Sequence, residues 1–336
     1  MGGVSLSFAQ EKKEMLYWAQ LLNQKGFVTA RSGNISYKVG TQKILITSHD
    51  CYLGYLKEQE ILLVDLAEAI LEGNRELTSE KDLHVSIHRH FKGVKAVMHA
   101  HPPYTTAFFH YFDKLDIFSF EAKFYLGNIT VIPQATPTVT DIEPVLGALE
   151  NSNIVVLGAH GVVSIGRDFK EASSLIELLE EQAKVNLIVQ AQGRNQQTDE
   201  VIQDPRRPKT SQKYKLLSKE HIAKLVEVIN SDQQVQELGA KYDLTCTLAV
   251  KNQDTNESVC FHYEKGKIIK TTSSDSAEFV IIGKENVLSR VFNRQIDPFV
   301  ASTQGKVKTK GDFSKMSKWY PVLVKTFQLW EQAPVE

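Results

Sequence analysis

Apolar residues recur along the chain at spacings that predict two segments with different orders of elements. In the first segment, amphipathic helices alternate with short apolar strands. Helices are expected over residues 8–24, 80–91, 105–112, 140–149 and 168–192, and strands over 35–39, 43–47, 60–66, 94–99, 154–157 and 162–165. The last helix has a clear start, because Asp168-x-x-Glu171 resembles a capping box and apolar residues follow it at helical spacing.

A polar stretch from Gly193 to Lys213 separates the two segments. It carries two prolines and few apolar residues, so it cannot add much to a core and is typical of a linker. After it we expect a helix over 218–236, strands over 244–250, 258–264, 267–272, 278–282 and 305–310, and helices over 285–292 and 314–328. The predicted domains are residues 1–192 and 214–336, joined by a linker at 193–213, and the second domain has an α+β order.

Composition narrows the classes of function. The chain of 336 residues carries 39 Lys and Arg against 40 Asp and Glu, so no basic excess points to nucleic acid. Three cysteines are too few for a disulfide framework and suit a reducing compartment. No apolar run reaches the roughly 18 residues of a membrane helix, and the first residues do not resemble a signal peptide. We expect a cytoplasmic protein with no membrane span and no nucleic-acid partner.

The sharpest local motif is a pair of histidines that follows an apolar strand. Val97-Met98-His99-Ala100-His101 places the two imidazoles at i and i+2, which face the same side of a strand. Imidazole suits zinc and its first-row neighbours. The best third ligand is His160, which also follows a predicted strand and precedes Gly161, where the backbone can approach closely. These three histidines are the predicted ligands of one divalent metal ion.

The other histidines have a simpler explanation. A lone His-x-His pair occurs by chance more often than it binds metal. His84 and His88 are spaced i, i+4 on a predicted helix, which is compatible with metal, but no third partner accompanies them. We expect them to be structural residues rather than ligands.

Taken together, three motifs resemble the class II aldolase and adducin family over about residues 8 to 192. They are Arg31-Ser32-Gly33-Asn34-Ile35-Ser36, the His-x-His pair followed by Pro102, and His160-Gly161. The resemblance implies an α/β fold, in which a mostly antiparallel sheet is sandwiched by helices, and a homo-oligomer, often a tetramer. It also implies a divalent ion on His99, His101 and His160, most commonly Zn²⁺, with Mn²⁺, Co²⁺ or Ni²⁺ as alternatives.

The resemblance further implies that Glu80, in the run Thr78-Ser79-Glu80, is the catalytic acid/base. A small substrate with adjacent carbonyl and hydroxyl oxygens would chelate the ion, which would stabilise an enediolate while Glu80 carries the proton. Without the resemblance, the preferred interpretation of Glu80 is an exposed first-turn acid that stabilises its helix dipole.

The substrate-binding residues implied by the resemblance match less completely. Gly33, Asn34, Ser48 and Ser79 stand where the family binds an anionic substrate group. However, the loop Thr47-Ser48-His49-Asp50 lacks the usual proline and glycine. Arg31 replaces a small residue, and it either binds an anion or forms a surface salt bridge.

A departure concerns the acid that protonates the leaving group. Aldolases of this family use a tyrosine from a neighbouring subunit, and Phe120 stands at that position here, although Tyr125 could substitute. Phe carries no transferable proton. A decarboxylase, dehydratase or epimerase with the same metal site therefore stays open.

The second segment resembles the sterol carrier protein family over about residues 215 to 330. The best piece is Gly305-Lys306-Val307-Lys308-Thr309-Lys310-Gly311-Asp312, a strand with alternating lysines. The resemblance implies a small α+β domain with an apolar tunnel for a lipid or acyl ligand. Apolar residues that could line it, or could simply form core, are Val291, Phe292, Phe299, Phe313, Met316, Trp319 and Tyr320.

Two hypotheses from different classes follow. The first is a metal-dependent lyase of the aldolase type that acts on a small hydroxy-carbonyl or sugar-like substrate. The second is a binding protein for a lipid or another apolar ligand, in which the first domain is adducin-like and not catalytic. Three histidines without a fourth protein ligand favour an open, catalytic metal site over a structural one.

Overall fold

The computed structural model describes residues 8–134, 136, 138–192 and 212–336, without the side chains of 313–315. The chain divides into two compact units, Met1–Gln197 and Thr198–Glu336. Most of the predicted linker at 193–213 lies outside the described residues. Within the described parts of the chain, no helix combines the length and the apolar character needed to cross a membrane.

An eight-stranded sheet forms the centre of the first unit. In chain order its strands are β1 (Asn34–Lys38), β2 (Lys43–Thr47), β3 (Ile61–Asp65), β4 (Ile70–Glu72), β5 (Ala96–Ala100), β6 (Val131–Ile132), β7 (Ile154–Leu157) and β8 (Gly161–Gly166). Their spatial order is β4-β3-β2-β1-β5-β8-β7-β6. Every neighbouring pair is antiparallel except β6 with β7, so the expected mostly antiparallel sheet is confirmed.

Helices cover both faces of this sheet. They are α1 (Ala9–Gln24), α2 (Lys81–His90), α3 (Pro103–Tyr111), α4 (Phe120–Tyr125), α5 (Glu143–Asn151) and α6 (Phe169–Ala191). On one face, Met98 and Ile35 pack with residues of α1, α3 and α6. On the other face, Val97 and Val163 pack with residues of α2 and α5. Because side chains alternate along a strand, one sheet supplies both cores, which confirms the α/β sandwich.

The second unit is built on a five-stranded sheet of order β11-β10-β9-β12-β13. Its strands are β9 (Cys246–Asn252), β10 (Ser258–Glu264), β11 (Lys267–Thr272), β12 (Phe279–Gly283) and β13 (Lys308–Lys310). Its helices are α7 (Lys219–Ser231), α8 (Gln233–Lys241), α9 (Glu285–Phe292), α10 (Pro298–Thr303) and α11 (Tyr320–Leu329). β9 and β12 are parallel and the other pairs antiparallel, which gives the expected α+β domain.

Several boundaries differ from the sequence prediction, among them the helix expected over 314–328, whose α-helical part is Tyr320–Leu329. Two of the differences have a clear physical reason. The single helix expected over 218–236 is two helices, because Asp232 leaves the helical conformation and its carboxylate accepts a hydrogen bond from the Val235 amide at 2.9 Å. The strand expected over 305–310 is confined to β13, since residues 298–303 form a helix whose first turn is capped by Asp297. By contrast, Asp168 caps α6 as predicted, through a 2.8 Å bond from the Glu171 amide.

Candidate metal centre

Three histidines meet at one end of the central strands of the first unit. β5 pairs with β1 so that His99 lies opposite Asn34, and with β8 so that His99 lies opposite Val163. His101 follows the last residue of β5, and His160 lies in the tight turn between β7 and β8. The register of three neighbouring strands therefore brings together residues that are about sixty positions apart.

The ring nitrogens of the three histidines converge on one point. One ligand atom from each of His99, His101 and His160 lies within 4.8 Å of the other two. The Nε2 atoms of His99 and His101 are 2.8 Å apart. This separation is compatible with two nitrogens that each lie about 2.0–2.1 Å from one zinc ion.

Close backbone approach makes this convergence possible. A Cβ atom on Gly161 would lie 2.3 Å from the Ala100 carbonyl oxygen and 2.9 Å from Cδ2 of His101. Only glycine fits here, because real Cβ contacts are not this short. The sequence prediction that Gly161 permits close approach agrees with this geometry, while the positive φ in the turn belongs to Ala159, at 56°.

The histidines present lone pairs rather than protons to the cluster. Nδ1 of His99 donates to the Val162 carbonyl oxygen at 3.0 Å, which leaves a lone pair on Nε2. Burial is the largest cause that lowers the pKa of His99, and likewise that of His101, to about 3. Nδ1 of His160 is buried and has no hydrogen-bond partner among the described residues. Imidazole nitrogens suit a divalent first-row ion, and three protein ligands would leave a position for substrate.

A buried carboxylate lies beside this cluster. Glu80 stands at the N-terminus of α2, is 4% exposed, and places Oε2 3.4 Å from Nε2 of His99. The Asn34 amide donates to the same oxygen at 3.1 Å, and the Val139 amide donates to Oε1 at 3.4 Å. The alternative that Glu80 is an exposed first-turn acid is therefore wrong.

This geometry agrees with comparisons to known proteins. The class II aldolase and adducin N-terminal domain matches residues 13–187, just over half of the chain. The chain belongs to the class II aldolase and adducin family. The SCP-2 sterol transfer family matches residues 222–324, so the chain is a fusion of two domains, as the sequence motifs indicated.

Several members of the class II aldolase family are similar to the first domain. An L-fuculose phosphate aldolase of Methanococcus vannielii is 33% identical over 177 residues, which cover 53% of this chain and 96% of that protein. A 3-oxo-tetronate 4-phosphate decarboxylase of Haemophilus influenzae is 27% identical over 201 residues, which cover 58% and 95%. The crystal structure of L-fuculose-1-phosphate aldolase from Thermus thermophilus has a TM-score of 0.51 and 26% identity, and covers 56% and 98%.

The predicted substrate-binding residues are distributed around the Glu80 end of the sheet. Gly33 has a φ of 79°, and a Cβ atom there would lie 2.9 Å from the His99 carbonyl oxygen, so this loop lies against β5. Ser48 is buried, and its Oγ has no hydrogen-bond partner among the described residues. Ser79 is exposed. Arg31 is exposed and forms a 3.0 Å salt bridge with Asp50, which is one of the two alternatives that the sequence left open.

Phe120 and Tyr125 lie on the surface at the two ends of α4. Phe120 is 62% exposed and follows Ser119, which caps the helix. Tyr125 is 44% exposed. Neither side chain belongs to the hydrophobic core of the first unit.

His84 and His88 do not join the metal cluster, in agreement with the sequence interpretation. They are fully buried, however, and both hydrogen-bond to Ser36. The Asn34 amide, which touches Glu80, also contacts His84. The sequence contains one signal of this arrangement, since Glu80, His84 and His88 recur every four residues and so share one helix face.

In the second unit, the residues that could line an apolar tunnel pack as core. Val291, Phe292, Met316 and Trp319 are buried in one cluster, and Phe299 packs against it. The side chain of Phe313 lies outside the described residues. Core packing, which was the alternative to a tunnel lining, therefore explains these apolar residues.

The buried histidines of α2 predict a fall in stability at acid pH. An ordinary histidine has a pKa of 6.5, and burial is the main cause that lowers the pKa of His84 to about 4 and of His88 to about 3. Below pH 6.5 these two histidines bind protons in the unfolded chain but stay neutral in the folded chain. Their contribution to the free energy of unfolding is therefore complete above pH 6.5 and is lost as pH falls toward 4. Each histidine then changes the free energy of unfolding by up to about 1.4 kcal/mol per pH unit.

Urea unfolding of the metal-free full chain at pH 7 and pH 5, followed by circular dichroism, measures this effect. Replacing His88 by Leu removes one titrating group and should make the pH dependence shallower. The exposed His90 on the same helix provides the control, and His90→Gln should leave the slope unchanged. An equal slope in wild type and His88→Leu would contradict the prediction.

Proposed function

We propose that the first domain is a divalent-metal-dependent lyase of the aldolase type that acts on a small hydroxy-carbonyl or sugar-like substrate. The observation that carries this proposal is a buried carboxylate 3.4 Å from Nε2 of His99, in a cluster of three converging histidines. A structural zinc site is normally closed by four protein ligands, and three favour an open one. The L-fuculose phosphate aldolases among the relatives support the same reaction class.

His99, His101 and His160 would hold the ion, with Zn²⁺ favoured and Mn²⁺, Co²⁺ or Ni²⁺ compatible with the same donors. The ion would supply a Lewis acid that draws electron density from the carbonyl and hydroxyl oxygens of the substrate. The lowered pKa values of His99 and His101 keep both rings unprotonated near neutral pH, so no proton competes for their nitrogens.

Glu80 is the proposed acid/base. The bond that breaks joins the carbons that are α and β to the carbonyl group. Its electron pair remains on the α-carbon, and the α-carbon then takes a proton. The Glu80 carboxyl group delivers this proton in cleavage and removes it in the reverse direction. Hydrogen bonds from Asn34 and from the Val139 amide hold the two carboxylate oxygens in a fixed orientation.

Gly33, Asn34, Ser48, Ser79 and Arg31 are the proposed contacts for the anionic end of the substrate. Ser48 has the strongest support, because a buried hydroxyl without a partner is costly unless a ligand satisfies it. Arg31 would have to exchange its salt bridge with Asp50 for the substrate anion.

Phe120 favours a decarboxylase as the second candidate. In aldol cleavage the hydroxyl group that becomes the aldehyde must lose its proton, and in the reverse direction the aldehyde oxygen must gain one; Phe120 can neither accept nor supply that proton. Loss of CO2 leaves the same electron pair on the carbon beside the carbonyl and needs no proton transfer at the departing group. The similarity to a 3-oxo-tetronate 4-phosphate decarboxylase is consistent with this alternative.

Metal content and turnover of the same preparations test the proposal. We expect about one zinc, manganese, cobalt or nickel ion per chain by elemental analysis, lost in the double variant His99→Ala, His160→Ala. Glu80→Gln should retain the ion, while the rate on the accepted substrate falls about 10²- to 10⁴-fold, the usual contribution of a general acid/base. L-Fuculose 1-phosphate and 3-oxo-tetronate 4-phosphate are the substrates that separate the two candidates.

The exposed His110 on α3 provides a matched control, and His110→Ala should change neither metal content nor rate. Protein that stays metal-free after reconstitution with these divalent ions would contradict the proposal. So would full turnover by Glu80→Gln. A metal-loaded protein that turns over neither substrate but retains lipid would favour the binding-protein hypothesis.

For the second domain we propose an apolar ligand, such as a fatty acyl chain. A groove of about 550 Å³ lies beside α7, β10 and β11, and its apolar lining is supplied by Ile222, Ala223, Val226 and Val259. Lys219 stands in the same lining and could pair with a carboxylate.

Binding of cis-parinaric acid, a fluorescent fatty acid, tests this site. Ala223 is exposed within the groove, so Ala223→Asp should weaken binding at least tenfold without disturbing the core. Ile269 is 61% exposed on β11 and does not line the groove, so Ile269→Asp is the matched control. Equal affinity in the two variants would place the ligand elsewhere or remove it.

We also propose that the chain forms a homo-oligomer, for which the family resemblance implies four subunits. Large aromatic side chains are exposed on α3, on α4 and just before α4, and both helices contact α6. They are Tyr104, Tyr111, Phe118, Phe120 and Tyr125. Exposed apolar patches of this kind mark interaction surfaces.

Light scattering coupled to size exclusion should therefore report a mass several times 37.9 kDa. The double variant Tyr111→Ser, Phe120→Ser should shift the mass toward one chain, whereas Tyr17→Ser, a change at an exposed tyrosine on α1, should not. A monomeric wild type at micromolar concentration would contradict the expectation.

A further inference from the structure

A line of buried polar side chains runs from Glu80 along the inner face of α2. Besides Asn34 it contains Ser36 from β1 and His84 and His88 from α2. Ser36, His84 and His88 have no exposed surface, and Asn34 is 8% exposed. The other buried residues on this helix are apolar, as expected for a helix that covers a sheet.

Each member of this line is within hydrogen-bonding distance of the next. Nδ2 of Asn34 lies 3.1 Å from Oε2 of Glu80, and Oδ1 of Asn34 lies 2.5 Å from Nε2 of His84. Oγ of Ser36 lies 2.7 Å from Nδ1 of His84 and 2.8 Å from Nε2 of His88.

The chemistry of the Glu80 end fixes the direction of these bonds, while at the other end Nδ1 of His88 is buried and has no hydrogen-bond partner among the described residues. A carboxylate only accepts, so Asn34 must turn its NH₂ group to Glu80 and its carbonyl oxygen to His84. His84 must then donate from Nε2 and accept at Nδ1. Ser36 has one proton to give, so it donates to His84 and accepts from His88.

Both rings are neutral in this scheme, as their surroundings require. Burial is the main cause that lowers the pKa of His84 to about 4 and that of His88 to about 3. A neutral imidazole has one donor and one acceptor, which is what each bond in the line uses. All donors therefore point toward Glu80, and such bonds reinforce one another in a medium of low dielectric constant.

We propose that His84 is a positioning residue for Glu80: its Nε2–H fixes the Asn34 amide, and Ser36 and His88 fix the tautomer of His84. This inference rests on the proposed role of Glu80 as acid/base. His84 touches neither the metal cluster nor the substrate side of Glu80, and it acts through Asn34. Without the Nε2–H donor of His84, the Asn34 amide can rotate and turn its oxygen toward the Glu80 carboxylate. The two groups would then repel each other.

Two substitutions of His84 separate this role from simple packing. The amide nitrogen of glutamine can occupy the place of Nε2, so His84→Gln keeps a donor to Asn34. The amide of asparagine reaches only the place of Nδ1, so His84→Asn keeps the contact to Ser36 and loses the donor to Asn34. Both replacements remove the ring, so a merely structural role predicts similar losses in the two variants.

We expect His84→Asn to lower kcat about 10²-fold, with KM within twofold of wild type and the metal content unchanged. This is the scale of loss that a misplaced catalytic group causes. His84→Gln should stay within tenfold of the wild-type kcat. His90→Asn, on the exposed side of the same helix, is the control and should not change kcat. Equal kcat values for His84→Asn and His84→Gln would overturn the positioning role.

A second measurement does not depend on any substrate. Nitrogen-15 NMR of the histidine rings in the metal-loaded protein should show His84 as the neutral Nε2–H tautomer, and Ser36→Ala should shift its Nδ1 resonance. A protonated ring, or the Nδ1–H tautomer, would refute the inference. If wild type proves inactive, the lyase proposal fails, and the tautomer of His84 still decides whether the line of bonds is built as inferred.

Discussion

The pairing of β5 with β1 and β8 is the constraint on which the rest of the site depends. It places His99 opposite Asn34 on one side and opposite Val163 on the other. A slip by one residue would turn His99 into the opposite core and bring Met98 to the Glu80 side. Val97 and Met98 are both fully buried on opposite faces, so such a slip would disrupt two cores at once.

Burial has two consequences for the site: it lowers the pKa of the buried histidines, and it makes an unpaired charge unfavourable. Desolvation keeps the imidazoles of β5 and α2 neutral, which suits both metal binding and directed hydrogen bonding. The same desolvation would make an unpaired carboxylate expensive, so Glu80 survives inside only because donors from Asn34 and the Val139 amide reach both oxygens. The histidine cluster and the polar line behind Glu80 are thus both sets of polar side chains that are buried between apolar cores and stabilised by contacts with one another.

The sequence predicted what short-range patterns determine. Strand β7, the cap at Asp168 and the histidine pair at the end of β5 follow from a short apolar run, capping chemistry and spacing, and all three are present. His160 was proposed as the third ligand from its place after a predicted strand and before Gly161, and the family resemblance supplied Glu80, since nothing local connects it to His99. The break at Asp232 was missed because helical spacing of apolar residues continues across it.

The line through Ser36 was missed for a different reason. Its members come from two elements that are far apart in the sequence, and only the register of β1 beneath α2 makes them neighbours. A buried histidine that bonds to other buried side chains has no pattern of its own in a sequence. The four-residue recurrence from Glu80 to His88 identifies a shared helix face, but it does not show what that face meets.

The site therefore divides into a part fixed by the sheet and a part carried by loops and short helices. The histidines, Glu80 and Asn34 are held by strands and by buried bonds, so the proposed metal binding and proton transfer would be the same in any reaction of this type. Arg31, Ser79 and Phe120 are exposed, and nothing in the core determines them. Aldol cleavage and decarboxylation leave the same electron pair on the substrate and differ only at the departing group. Under the proposed function, the choice between them would fall to surface residues such as Phe120, while the buried centre stays the same.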